Sequence, residues 1–127
     1  MRMRTLALAA GLTAGASVTA SAEDSRGLEW AGRFANGAEG GGELTISRDQ
    51  GGHRVTAEVA VPRCVGRFEG QATLRGGVLT ARQDRDGQSC TLTIRSSGGS
   101  VQVGETGCLT FRGAACSFEG TYLRRDR

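Results

Sequence analysis

The chain has 127 residues, of which 38% are hydrophobic, 5% aromatic and 23% charged, with 21 glycines and a single proline. Its formal charge of +3 is the balance of 16 basic residues, all arginine, and 13 acidic ones. The length suits one domain and excludes two of ordinary size. No run of one charge sign is interleaved with aromatics, so a nucleic-acid partner is not expected.

Residues 1–22 read as an export signal. Met1-Arg-Met-Arg4 is a short basic start, and Thr5 to Val18 is a weakly apolar run. Ala20-Ser21-Ala22 then supplies small residues for cleavage before Glu23-Asp24. A membrane span would need about 20 strongly apolar residues, and this run is shorter and rich in Ala, Gly and Thr. No cysteine lies near the cut, so no lipid or membrane anchor is expected. Residues 23–127 form the expected single domain, periplasmic or secreted. Without Arg2 and Arg4 the formal charge falls to +1.

From there the dominant period is two. Leu44 and Ile46 alternate with Thr45 and Ser47, and Val55, Ala57, Val59 and Val61 with Thr56, Glu58 and Ala60. Leu79 and Ala81 alternate with Thr80 and Arg82, and Cys90, Leu92 and Ile94 with Thr91, Thr93 and Arg95. Each run reads as a strand with one buried face. About eight strands are predicted, near 29–35, 42–48, 53–61, 64–74, 77–84, 88–95, 100–105 and 116–123. Turn signals separate them: Asn36-Gly37, Asp49-Gln50-Gly51-Gly52, Arg75-Gly76-Gly77, Asp84-Arg85-Asp86-Gly87 and Ser97-Gly98-Gly99. Pro62 falls between two runs, where its missing donor costs nothing.

Hairpins in series leave two exposed edges unless the first strand closes on the last. The fold class is therefore all-β: a small antiparallel up-and-down barrel, with a two-sheet sandwich as the alternative. Gly32-Arg33-Phe34, Gly66-Arg67-Phe68-Glu69-Gly70 and Phe118-Glu119-Gly120-Thr121-Tyr122 echo one another. In each, a glycine that lets a strand coil lies two residues from a ring that covers it. The predicted core is Trp30, Phe34, Leu44, Ile46, Val55, Val59, Val61, Phe68, Leu74, Leu79, Leu92, Ile94, Val103, Phe118 and Tyr122. Small side chains filling a narrow barrel argue against a large ligand cavity.

Cys64, Cys90, Cys108 and Cys116 are an even set, which in an exported chain reads as two disulfides. Three pairings are open. Cys64–Cys90 with Cys108–Cys116 is favoured, because the second closes a short local loop.

Candidate chemistry is thin. His53, the only histidine, follows Gly51-Gly52 and reads as an exposed turn residue. Asp49, Glu58, Glu69, Asp84, Asp86, Glu105 and Glu119 are scattered and read as a solvated face beside arginines. The Asp84–Gly87 stretch lacks the following acidic ligand of a calcium loop. There is no C-x-x-C pair and no nucleophile elbow. No catalytic residue, metal ligand or cofactor is expected, and the protein is not expected to be an enzyme. Residues 104–115 break the strand rhythm. If Cys108 joins Cys116, they form a tethered loop presenting Phe111 and Arg112, with Glu105 beside it, as a candidate partner-binding surface.

The order Trp30-Ala-Gly-Arg-Phe34, Gly42-Glu-Leu-Thr-Ile-Ser47, Arg54-Val-Thr-Ala-Glu-Val59, Phe68-Glu-Gly70, Cys90-Thr-Leu-Thr-Ile94 and Phe118-Glu-Gly-Thr-Tyr122 resembles small bacterial periplasmic proteins grouped with lysozyme inhibitors. The resemblance implies a β-barrel that inserts a loop into a lysozyme cleft. The Ser-Gly-x-x-Tyr-type motif of the membrane-bound inhibitor group is absent, so no inhibitory residue carries over. The function expected is that of an exported, non-enzymatic binding protein with a lysozyme-type hydrolase as partner. An avidin- or lipocalin-like ligand barrel and a structural envelope module are the alternatives.

Overall fold

A computed structural model describes residues 30–37 and 41–125. The expected signal segment, residues 1–22, lies outside the described residues. The chain forms eight strands: β1 Gly32–Ala35, β2 Gly42–Asp49, β3 Gly52–Val61, β4 Cys64–Arg75, β5 Val78–Arg85, β6 Gln88–Ser97, β7 Ser100–Thr106 and β8 Gly120–Arg124. Every neighbour pair is antiparallel, and β1 pairs with β8, so the sheet closes as a barrel rather than a sandwich. That seam is short, with Phe34 opposite Arg124 and Ala35 opposite Leu123. The Arg125 amide extends it by donating to the Arg33 carbonyl at 2.8 Å.

The period-two runs decide which side chains face inward. Leu44 and Ile46, then Val55, Ala57 and Val59, then Leu79 and Ala81, and Leu92 and Ile94 are all buried. With Phe34, Phe68, Val101, Val103 and Tyr122 they form one continuous core. Phe68 and Phe118 meet edge to face at 6.3 Å between ring centres. The expected core residues Val61 and Leu74 differ: Val61 is half-buried and Leu74 is exposed. Both keep the inward parity but stand at strand ends, beyond the packed interior. The turns obey their sequence signals. Asp86 and Gly87, both at positive φ (48° and 79°), make the tight β5–β6 reversal.

The two ends of the barrel differ. One end is bounded by the β2–β3, β4–β5 and β6–β7 hairpins, the start of β1 and the end of β8. The other carries the β3–β4 and β5–β6 turns and the long β7–β8 connection. The first end will be called the hairpin end, and the second the strap end.

His53 corrects the sequence reading. It is not a turn residue but the second residue of β3, opposite Arg48 of β2 and Ala72 of β4, and only 8% exposed. The alternation that buries Val55 and Ala57 extends one step further to His53. Neither of its ring nitrogens has a hydrogen-bond partner. Burial, and then the nearby Arg48 charge, hold its pKa below the ordinary 6.5. The folded state therefore binds fewer protons at this site than the unfolded chain. Its stability contribution is complete above pH 6.5 and declines as pH falls through that value toward the lower folded pKa. Replacing His53 with leucine is expected to remove that decline. It should also raise neutral-pH stability by about 1 kcal/mol, by deleting a buried unsatisfied group. Thermal melts across pH for both proteins check this; equal slopes would contradict it.

Candidate functional site at the strap end

The feature that sets this barrel apart is how β4 and β5 meet. Their pairing covers only Gln71–Arg75 of β4 against Val78–Arg82 of β5. The first half of β4, from Cys64 to Gly70, has no strand partner on that side. The β7–β8 connection fills the gap as a strap.

Its course is fixed step by step. Cys108, two residues past the end of β7, is bonded to Cys90 near the start of β6. A single 3₁₀ turn, Leu109–Phe111, follows, closed by the Phe111 amide donating to the Cys108 carbonyl at 2.8 Å. Phe111 is buried at 3% exposure, and the Arg85 guanidinium lies 4.3 Å from its ring centre. Arg112 makes an isolated β-bridge with Gly66, and the Gly113 amide donates to the Val65 carbonyl at 3.2 Å. Gly66 is required there: a side-chain carbon at that position would collide with Arg112. Cys116 is then bonded to Cys64 at the start of β4.

The observed disulfides are Cys64–Cys116 and Cys90–Cys108, so the expected Cys64–Cys90 and Cys108–Cys116 pairs are both corrected. Cys64 and Cys90 lie on β4 and β6, with β5 between them. Two strand spacings put roughly 10 Å between such backbones, beyond the reach of a disulfide. Cys108 and Cys116 sit at opposite edges of the strap and each is taken by the strand it abuts.

Glu105 secures the strap from inside. It lies on the inward face of β7 after Val101 and Val103, and its side chain is 8% exposed. The carboxylate accepts from Arg112 Nε at 3.1 Å to each oxygen and from Arg112 Nη2. It also accepts from the Phe118 amide at 2.9 Å and the Ser117 hydroxyl at 3.3 Å. Burial pushes the Glu105 carboxyl up, but Arg112, the Phe118 amide and Ser117 outweigh it and hold it below the usual carboxylate range. Hydrogen bonding to Glu105 raises Arg112 in turn. Beneath them Tyr122 donates to the Phe118 carbonyl at 2.8 Å, and burial, then the Glu105 charge, push its phenol up to about 12.

The three candidate partner-binding residues are thus brought together, but not as an exposed loop tip. Phe111 is core, and Glu105 and Arg112 bond each other. Glu105 also departs from the solvated face expected of the carboxylates. The others mostly keep to that face: Asp49 and Glu69 meet Arg54 at 3.4 and 3.3 Å, and Arg67 bonds Glu58. Asp84 accepts from Ser89 at 2.6 Å and Arg82 at 2.9 Å, which lowers its pKa, Ser89 contributing most. Among the described residues no three His, Cys, Asp or Glu side chains gather as a metal site.

What the strap does present is Leu109, 57% exposed, close in sequence to Thr110 of a groove of about 530 Å³. Val65, 68% exposed, lines that groove with Glu58, Arg67 and Thr110. Sequence reasoning missed this pair, because Val65 occupies the outward parity of β4 and Leu109 lies in an irregular segment. The class of molecule is a closed eight-stranded barrel with a doubly bridged strap. No protein-family model, curated protein or solved structure matches the chain.

Proposed function

We propose that this protein is an exported, non-enzymatic binding protein that inhibits a hydrolase of the lysozyme type by docking its strap end. The observation that carries this reading is the strap itself, anchored at both ends by disulfides and along its length by Glu105 and Arg112. Its exposed Leu109 stands near a groove edged by Val65. Such a ridge is ordered before it meets a partner, so association costs little conformational entropy. Two disulfides in a small domain fit an oxidising compartment outside the cytoplasm, and no described helix is long and apolar enough to cross a membrane. In this reading Phe111, Arg112 and Glu105 position the ridge, and Leu109, Thr110 and Val65 meet the partner. The continuous core on the inward faces of the barrel speaks for this over a ligand carrier.

Mixing the oxidised, exported protein with c-type and g-type lysozymes in a cell-lysis assay tests it. Protection of the cells that Leu109→Asp weakens at least ten-fold is the expected result. Absence of protection at large molar excess counts against it.

A further inference from the structure

Charge is distributed very unevenly between the two ends of the barrel. Arg33 on β1, Arg48 on β2, Arg75 on β4, Arg95 on β6 and Arg125 after β8 all lie at the hairpin end. They are far apart in sequence and gathered only by the up-and-down topology. All five are exposed, and none has a carboxylate within ion-pair range among the described residues. The described carboxylate closest to this rim, Asp49, is engaged by Arg54 and Gln71. Glu43 shares a recess with Arg33 and Arg125 without pairing with either, and most of the remaining described carboxylates, Glu58, Asp84, Asp86, Glu105 and Glu119, lie toward the strap end.

The shape of this end matters as much as its sign. The cations stand on four strands and just past the end of a fifth, spread around the barrel rather than along one side. The hairpin tips between them are glycine: Gly51, Gly76, Gly77, Gly98 and Gly99, each with open space around it. The tips themselves are blunt and carry no large apolar side chain; the exposed Leu74 and Leu123 of this end stand on β4 and β8, one residue before Arg75 and two before Arg125. A linear polyanion could meet only one arc of such a ring, whereas a planar array of anionic groups can meet all of it.

We propose that the hairpin end is a docking surface for the headgroups of an anionic lipid bilayer, on which the barrel stands end-on without inserting. Arginine suits phosphate because its planar guanidinium gives paired hydrogen bonds as well as charge. The lowered pKa of His53, second residue of β3 at this same end, is due first to burial, with the Arg48 charge adding to it. Adsorption here leaves the strap end pointing away from the surface and free. The inference does not depend on the hydrolase reading, which concerns the other end.

The test is co-sedimentation of the oxidised protein with vesicles of mixed phosphatidylglycerol and phosphatidylcholine, and with vesicles of phosphatidylcholine alone. Binding is expected only to the mixed vesicles and should weaken as salt is raised. Each rim arginine near the surface contributes about five-fold to partitioning, so Arg48→Gln, Arg75→Gln and Arg95→Gln together should lower it by about two orders of magnitude. None of the three makes an ion pair in the described structure, so the fold is retained, which circular dichroism verifies. Arg63→Gln, exposed at the opposite end, should change nothing. Equal binding to both vesicle types, an equal loss from Arg63→Gln, or binding to dissolved acidic polysaccharide with none to vesicles would overturn the proposal. Failure of lysozyme protection in the lysis assay would leave the vesicle result standing.

Discussion

Replacing Glu105 with alanine is expected to destabilise the protein by about 3–5 kcal/mol, the usual cost of stranding a charge inside. Arg112 would be left 11% exposed with its carboxylate partner gone. The Phe118 amide and Ser117 hydroxyl would lose their acceptor as well. Net stabilities of small domains are about 5–15 kcal/mol, so this single change could consume much of the margin. Glu105→Gln keeps an oxygen for Phe118 but not the charge for Arg112, and should fall between alanine and wild type. Removing both partners should cost less than the sum of the single changes, because the stranded arginine disappears with its acid. The depressed carboxyl adds a pH signature. Its stabilising effect is present above the ordinary carboxylate value of 4.5 and is lost as pH falls through the lower folded pKa. This acid loss begins at a lower pH than the His53 transition begins, and His53→Leu isolates it. Denaturant melts of the two single variants and the double variant measure the coupling; an alanine variant within about 0.5 kcal/mol of wild type would remove Glu105 from its assigned role.

Deleting either disulfide should have an effect of similar size, and the two should not be equal. Cys64–Cys116 spans 52 residues and Cys90–Cys108 spans 18. Restriction of the unfolded chain then assigns them about 4 and about 3 kcal/mol. The shorter loop lies within the longer one, so removing both bridges should cost less than the sum, yet enough to release the strap. With the strap gone, the unpaired edge of β4 from Cys64 to Gly70 is exposed, and strand-edge association should follow. Accessibility sets the order of reduction. Cys90 and Cys108 are buried at 0% and 2% exposure, whereas Cys116 is only partly buried, so mild reductant should open Cys64–Cys116 first. Peptide mapping of the non-reduced protein checks the pairing, and a peptide joining Cys108 to Cys116 would refute the strap as described. Equilibrium unfolding of the paired Cys→Ala variants checks the magnitudes.

Much of the barrel is legible in the sequence because strand alternation is a local signal. Val55, Ala57 and Val59 face inward for the same reason that Thr56 and Glu58 do not: successive residues of a pleated strand point to opposite sides. The same rule held the answer for His53, two residues before Val55, but the neighbouring Gly51-Gly52 turn signal hid it. The candidate site was half legible. Loss of rhythm after Gly104 marks an irregular segment, and Glu105, Phe111 and Arg112 do belong to one constellation. Their orientation was not legible. Nothing local shows that β4 and β5 part company at Gly70, and that gap is what draws Phe111 inward and turns Arg112 onto Glu105. Likewise the last strand begins at Gly120 rather than near 116, because Ser117 and Phe118 are held to the Glu105 side chain instead of to the β7 backbone.

The sequence by itself determined the element types and the hairpin order, since these rest on contacts between near neighbours; the cost of a free edge favoured closure over a sandwich, and the β1–β8 pairing decided it. The tertiary structure alone decided which cysteines meet and which end of the barrel is cationic. Both depend on where strands distant in sequence come to lie around a closed sheet. A sulfur bonds only what lies within a few ångströms, and five dispersed arginines become one surface only when alternate strands end together.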